Sequence, residues 1–433
     1  MLSFPPMSQF VINGGRRVSG VHVVPGNKNA ALPMLAACLL TDEPVELSNL
    51  PLIEDVRVML SLLGELGVAV SLDEPARRAT LCAATLRPRR LSRELCSRVR
   101  TSILFAGPLL ARHGAASIFP PGGDAIGRRR IDTHVDGLRA LGASVRAGAS
   151  FSFRSKRLHG APILLDEASV TGTENLVMAA TLAEGRTTIY NAACEPHVQD
   201  LCRMLNAMGA RISGIGTNLL SIEGVEALHG VSHRVGPDLV DAGSFMAAAL
   251  ATGGELKLVD AGSADDWAIV GRPFRRIGAR WTLSADGTLH LPAGQRLKAA
   301  NDFGDAIPKF EDGPWPAFPS DLLSALIVLA TQTRGTMLFF EKMFESRLYF
   351  VDRLIGMGAH IVQCDPHRVV VSGPCALHAT TVASPDIRAG MALLVAALCA
   401  KGTSVIRNAE VVDRGHARVE DEFRALGADI RRE

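Results

Sequence analysis

The sequence contains no Cys-x-x-Cys pair. Its eight cysteines, Cys38, Cys82, Cys96, Cys194, Cys202, Cys364, Cys375 and Cys399, stand apart. That spacing argues against a zinc or redox motif and for free thiols in a reducing compartment. No excess of one charge is present either: the formal net charge is +2, with no charged tail and no low-complexity tract. Bulk nucleic-acid binding is therefore not expected, although Arg128 to Arg130 and Phe151 to Arg157 are locally basic. The start, MLSFPPMSQF, lacks the basic-then-apolar pattern of a signal peptide. The longest apolar run, near Met391 to Ala400, is too short to span a bilayer. What remains is a globular chain of 433 residues, 47% hydrophobic, long enough for about two to three domains. A cytoplasmic enzyme or binding protein is expected.

What is present is repetition. A short phrase recurs six times: LGELGV ending at Val68, LRALGA at Ala143, LNAMGA at Ala210, FRRIGA at Ala279, LIGMGA at Ala359 and FRALGA at Ala428. Successive copies are 75, 67, 69, 80 and 69 residues apart. Each reads as the last turn of an amphipathic helix closed by a glycine with positive φ. Strand-like runs lie upstream, such as PVELSNL, TTIYNA, LKLVDA and TSVIRNA. A second, more apolar helix also recurs, as NAALPMLAACLL, RTSILFAGPLLARHG, TENLVMAATLAEG, AGSFMAAALATGG, SDLLSALIVLATQTRG and DIRAGMALLVAALCAKG. A helix apolar nearly all round must be buried. One unit of about 70 residues cannot bury such a helix alone, so the units must cluster.

Polar residues enter these apolar helices at their starts: Lys28 and Asn29, Arg100 and Thr101, Glu174 and Asn175, Asp241 and Ser244, Asp321, and Asp386 with Arg388. Helix N-termini carry partial positive charge and unpaired N–H groups. Several directed at one cleft suit a phosphorylated ligand. Asp, Ser and Thr in such places also read as ordinary caps. Capping does not account for Lys28, Arg100 or Arg388, because cations are unfavourable at a helix start. The stretch FPPGGDAIGRRRIDTHVDG, Phe119 to Gly137, adds a Pro-Gly-Gly turn, Asp124 and three adjacent arginines, an arrangement that makes sense beside an anion.

Taken together, GNKNAALP (26–33), PGGDAIG with Arg129 and Asp132, TGTENL (171–176), AFPSD (317–321), FESR (344–347), DIR (386–388) and DRG (413–415) resemble the enolpyruvyl transferases, in order and spacing over essentially the whole chain. The resemblance implies an α/β, two-domain enolpyruvyl-transferase fold, an inside-out α/β barrel with helices inside and sheets outside. Six repeats of about 70 residues are divided three per domain, with the substrates between the domains. By that analogy the first domain runs over 28–235, and the second joins 1–27 to 236–433. The implied reaction moves the enolpyruvyl group of phosphoenolpyruvate to the 3-hydroxyl of UDP-N-acetylglucosamine and releases phosphate, with no metal or organic cofactor. It requires a proton donor for the methylene carbon, a base for the hydroxyl and cations around the donor.

By matching position, Lys28, Arg129, Arg388 and Arg414 would hold phosphoenolpyruvate and the departing phosphate, with Arg100 near them. Asp321 would accept the hydroxyl proton. Asn29 and Phe344 would help to place the sugar. Arg129, Arg130, Ile131, Asp132, Thr133 and His134, with Ser169 and Val170, fall where the family grips the uridine nucleotide. Glu195 and Glu345 match acidic positions at the cleft. Asp124 falls where the family usually has a loop cysteine. A carboxylic acid can deliver a proton to the methylene carbon if its setting keeps it protonated, yet it lacks the sulfur that epoxides such as fosfomycin alkylate. An active, fosfomycin-resistant enzyme is expected. The other reading is a turn aspartate in an inactive paralogue.

Several positions depart from the family pattern. Arg130 stands for proline, ACEPH for AREPE, DLVDAGSF for DRIETGTF, PGNKNA for SGAKNA and DRGHARV for DRGYERI, while Glu167 lies where some members have lysine. These departures leave open an enzyme acting on another uridine nucleotide such as uridine monophosphate in nucleoside-antibiotic biosynthesis. Further alternatives are a shikimate-pathway transferase, which shares the fold but fits the KNAALP and DRG contexts poorly, and a catalytically inactive nucleotide-binding paralogue. The expected partners are small molecules, with no nucleic acid and no membrane.

Overall fold

A computed structural model of the chain describes residues 8–87, 90–124, 126–127 and 129–433. Arg128 of the arginine run and the first seven residues of the N-terminal stretch lie outside the described residues. The chain divides into two compact units, one of Met1–Val24, Ala125–Arg128 and Pro237–Glu433, the other of Pro25–Asp124 and Arg129–Gly236. Each has its own apolar core.

The six recurring phrases end helices in the same way. Gly67, Gly142, Gly209, Gly278, Gly358 and Gly427 all have φ between 84° and 101°. The N–H of the residue after each glycine reaches back five residues, as in Val68 to Leu63 O (3.1 Å), Ala210 to Leu205 O (3.0 Å) and Ala428 to Phe423 O (2.9 Å). This is the Schellman closure, which satisfies carbonyls that the helix would otherwise leave open. The strands upstream share a second device. Asn49, Asn191, Asp260 and Asn408 follow them with φ near +55° to +59°, a region that short polar side chains tolerate.

Each unit has three sheets among the described residues. In the unit beginning at Pro25, Val231–Arg234 runs parallel to Val45–Ser48, so the end of this unit is sewn to its beginning. In the other, Gln9–Asn13 lies antiparallel between Thr403–Arg407 and Asp429–Arg432, and Gly20–Val23 runs parallel to Leu256–Val259. The N-terminal segment thus belongs to the sheets of the C-terminal half.

The apolar helices lie inside. Leu239–Thr252, Ser320–Ala330 and Ile387–Cys399 pack against one another, and every residue from Leu239 to Leu250 is buried. Lys28–Ala37, Ala106–His113 and Val170–Ala180 are the counterparts in the other unit. Fully burying one leucine stabilises a fold by about 1.5–3 kcal/mol, and these helices have no face that could be left in water.

One helix differs from its sequence reading. RTSILFAGPLLARHG predicts one continuous helix, but Arg100–Phe105 is a 3₁₀ turn and the α-helix begins at Ala106. The cause is Asn175. Its Oδ1 accepts from Gly107 N–H at 2.7 Å and its Nδ2 donates to Ile103 O at 3.1 Å, so the amide replaces the direct 107-to-103 bond. Gly107 makes room for it: a Cβ there would lie 2.5 Å from Asn175 Oδ1.

Gly278→Ala is expected to lower stability by about 1–3 kcal/mol. It forces positive φ on alanine and places a Cβ 3.0 Å from Lys298 N and 3.1 Å from Lys298 O. Urea unfolding checks this; an unchanged midpoint contradicts the closure geometry.

Candidate active site

In the unit beginning at Pro25, Asn27 caps the first apolar helix. Its Oδ1 accepts from Asn29 N–H (2.8 Å) and Ala30 N–H (3.2 Å). Lys28 is therefore the first helical residue, and its Nζ lies 2.7 Å from Asp55 Oδ2, both side chains buried. Asp55 sits in the first turn of Glu54–Glu65. Breaking such a buried pair costs about 3–5 kcal/mol, so Lys28 is fixed as well as charged.

The Pro-Gly-Gly turn packs on the segment before Arg100. Gly122 N–H donates to Cys96 O at 3.1 Å, and a Cβ at Gly122 would lie 1.7 Å from Ser97 O. At Gly123, with φ of +106°, a Cβ would be 3.1 Å from Arg100 Cβ and 3.3 Å from Arg129 Nη1. Half-buried Asp124 follows directly. Arg100 donates from Nη2 to Arg130 O at 2.6 Å, and Arg130 Nε donates to Asp132 Oδ2 at 2.5 Å. Burial, and then the neighbouring Arg129 charge, lower the Arg100 pKa to about 10. Like charges crowded in this way favour an anion beside them.

Beside the arginines, Thr133 Oγ1 lies 3.2 Å from Asp166 Oδ1 and 3.4 Å from Glu167 Oε1. Ser169 caps Val170–Ala180 by accepting from Gly172 N–H at 3.2 Å. His134 is buried, with Nδ1 3.0 Å from Asn175 Nδ2 and Nε2 3.1 Å from Thr171 Oγ1. Because the amide donates to Nδ1, the network assigns the proton to Nε2. Burial, and then Arg100, push the His134 pKa down to about 3. Its ring thus stays neutral and is committed to protein partners. Ile131 directly precedes the helix Asp132–Ala140.

In the other unit, Asp321 is held between two buried arginines. Arg347 Nη2 lies 2.8 Å from Oδ1, and Arg388 Nε and Nη2 lie 2.9 and 2.8 Å from Oδ2. Arg388 is the second residue after the cap Asp386, whose Oδ1 accepts from Arg388 N–H at 2.9 Å. Arg347 also lies over the Phe344 ring, 5.1 Å from its centroid. Next to Asp321, Ser320 Oγ lies 3.0 Å from both oxygens of Glu341. Burial, and then the nearby Asp312 carboxyl, raise the Glu341 pKa. Arg414 is half-buried at the end of the 3₁₀ turn Ala409–Arg414.

Known proteins match the chain along nearly its whole length. The family model described as EPSP synthase (3-phosphoshikimate 1-carboxyvinyltransferase) matches residues 12–423. The chain belongs to this family of 1-carboxyvinyltransferases. It is an enzyme of that class, and its fold is theirs. Curated relatives named UDP-N-acetylglucosamine 1-carboxyvinyltransferase include those of Treponema denticola, 50% identical over 98% of this chain and 99% of the relative, and Treponema pallidum, 51% identical over 99% and 100%. Among solved structures, the enolpyruvyl transferase NikO from Streptomyces tendae superposes with a TM-score of 0.87 at 24% identity, covering 99% of both chains. An EPSP synthase from Acinetobacter baumannii gives 0.78 at 18%, covering 99% of this chain and 100% of that one. These two likenesses speak for the fold.

Several site neighbours escaped the sequence reading. Neither Asp55 nor Glu341 lay in a motif that the sequence analysis singled out. Arg347 lay within FESR without a role of its own. Asp241, grouped with ligand-facing polar residues, is instead buried against His22 at 2.7 Å and His416 at 3.1 Å. Among the described residues, no helix is long and apolar enough to cross a membrane.

Glu174 gives a test of the buried electrostatics. Burial, and then the charge of Glu195, raise its pKa well above 4.5. The fold therefore holds it protonated, whereas the unfolded chain ionises it above about pH 4.5, so it withdraws stability as pH rises beyond that point. Glu174→Gln is expected to raise the urea midpoint at pH 8 and leave it unchanged at pH 4. An equal loss at both values contradicts the assignment.

Proposed function

We propose that this 1-carboxyvinyltransferase moves the enolpyruvyl group of phosphoenolpyruvate to the 3-hydroxyl of UDP-N-acetylglucosamine, a step of peptidoglycan precursor synthesis. The observation that carries the reading is identity of about half, over nearly the full length of both chains, to relatives bearing that name. The Arg100 and Arg129 pair adds a physical reason, since two crowded guanidinium groups suit an anionic donor.

In this reading Lys28, Arg100, Arg129, Arg388 and Arg414 bind the donor carboxylate and phosphate. Asp124 gives a proton to the methylene carbon, and Asp321 takes the proton of the attacking hydroxyl, whose oxygen bonds to the central carbon. Phosphate then leaves with the C–O electron pair, and the methyl group returns a proton to restore the double bond. The two arginines on Asp321 orient its carboxylate. Asn29 and Phe344 place the sugar. Residues 129–134, with Ser169 and Val170, serve the uridine nucleotide, His134 as a support. Asp124 takes the place of the family's loop cysteine. The site works in the cytoplasm, on small-molecule substrates alone.

Phosphate release from phosphoenolpyruvate tests the acceptor. UDP-N-acetylglucosamine is expected to support turnover at least tenfold faster than uridine monophosphate; the reverse order, or no release with either, contradicts the reading. Asp124→Cys is expected to keep turnover and to become inactivated by fosfomycin, while the unsubstituted chain resists it. Continued resistance of the cysteine variant counts against the assignment of Asp124.

A further inference from the structure

The segment that presents Arg414 is pinned on both sides by charged pairs, one part-buried and one buried. On one side Asp413 accepts two hydrogen bonds from Arg432, at 2.7 and 2.6 Å. Arg432 also pairs with Glu420 at 3.0 Å and lies over the Phe10 ring, 4.8 Å from its centroid. On the other side His416, two residues beyond Arg414, lies with Nδ1 3.1 Å from Asp241 Oδ1. The second oxygen of Asp241 lies 2.7 Å from His22 Nε2. All three side chains are buried.

Three separate stretches of sequence meet here. His22 is the one buried residue of the strand Gly20–Val23. Asp241 occupies the first turn of Leu239–Thr252, where the helix N-terminus favours its negative charge. His416 follows the 3₁₀ turn, with its N–H bonded to Val412 O at 3.0 Å. The His22 ring is stacked on Phe245 at 3.8 Å, which is stacked on Phe423 at 4.6 Å. A rigid aromatic wall therefore sets the position of the imidazole.

We propose that His22, Asp241 and His416 act as a positioning relay for Arg414, fixing the backbone that presents its guanidinium to the phosphate of the donor. This rests on the donor-binding role of Arg414 given above. Charged groups facing the relay are Asp241, at the two histidines, and Glu422, 3.4 Å from His22 Nδ1. Burial alone disfavours a charged ring, but Asp241 and then Glu422 outweigh it and raise the His22 pKa to about 9. Despite its burial, Asp241 is held well below the usual carboxylate range by His22 and then His416. A raised imidazole pKa means that the stabilisation is complete below about pH 6.5 and is lost as pH rises through about 9. The relay thus loosens on the alkaline side.

Steady-state kinetics of phosphate release from pH 6 to pH 10 read this out. The KM for phosphoenolpyruvate is expected to rise above about pH 9, while the acceptor KM stays level. In His22→Gln the donor KM is expected to be on the order of tenfold higher at pH 7, the scale of one charge-assisted hydrogen bond, and its alkaline rise to vanish. His416→Tyr is expected to raise the donor KM as well, because it removes the contact to Asp241. A His22→Gln enzyme with ordinary donor KM and an unchanged alkaline limb overturns the relay. So does an equal rise in both substrates' KM values. Amide hydrogen exchange over residues 412–416 separates failure of the relay from failure of the proposed reaction. Faster exchange in His22→Gln is expected even in an enzyme with another acceptor, and unchanged exchange overturns the relay by itself.

Discussion

Six helices that are apolar over most of their surface impose the architecture. Such a helix gains stability only when it is covered all round, and one repeat of this chain cannot supply the cover. Three repeats per unit can. Their helices pack together, and their sheets close over them through pairings between distant parts of the sequence, such as Val231–Arg234 on Val45–Ser48. The helix closures at Gly67, Gly142, Gly209, Gly278, Gly358 and Gly427 recur because every copy must turn back at the same point to lay a strand on the outside.

The same constraint places the charged side chains. Helices buried along their length expose only their ends, so polar groups gather at those ends. There Lys28 and Arg388 conflict with the helix dipole. Lys28 is balanced by Asp55 and Arg388 by Asp321, while Arg100, in its 3₁₀ turn, lies within the field of Arg129. Carboxylates hold the first two in fixed positions. The third lies beside the Gly122–Gly123 turn that leads into Asp124. Preorganised charge of this kind needs little rearrangement when an anionic substrate arrives.

The sequence made the local features legible. Periodicity, glycine closures and buried helices are set by residues a few places apart, and the structure has each of them. Partners across space were not legible. No pattern joins Lys28 to Asp55, or His22 to Asp241 and His416. The break in the helix at Arg100–Phe105 depends on the amide of Asn175, which is distant in sequence. Asp241 reads as a helix-start polar residue, and only folding reveals that two histidines enclose it. Family motifs located the candidate residues, whereas the groups that orient them came from the packing.

The central claim is that these charged helix starts bind a three-carbon phosphorylated acid. Titration calorimetry with phosphoenolpyruvate, using UDP as a companion that carries no acceptor sugar, tests it most directly. The account predicts saturable binding that weakens as salt is raised. Absence of any heat of binding, with UDP or without it, would contradict it.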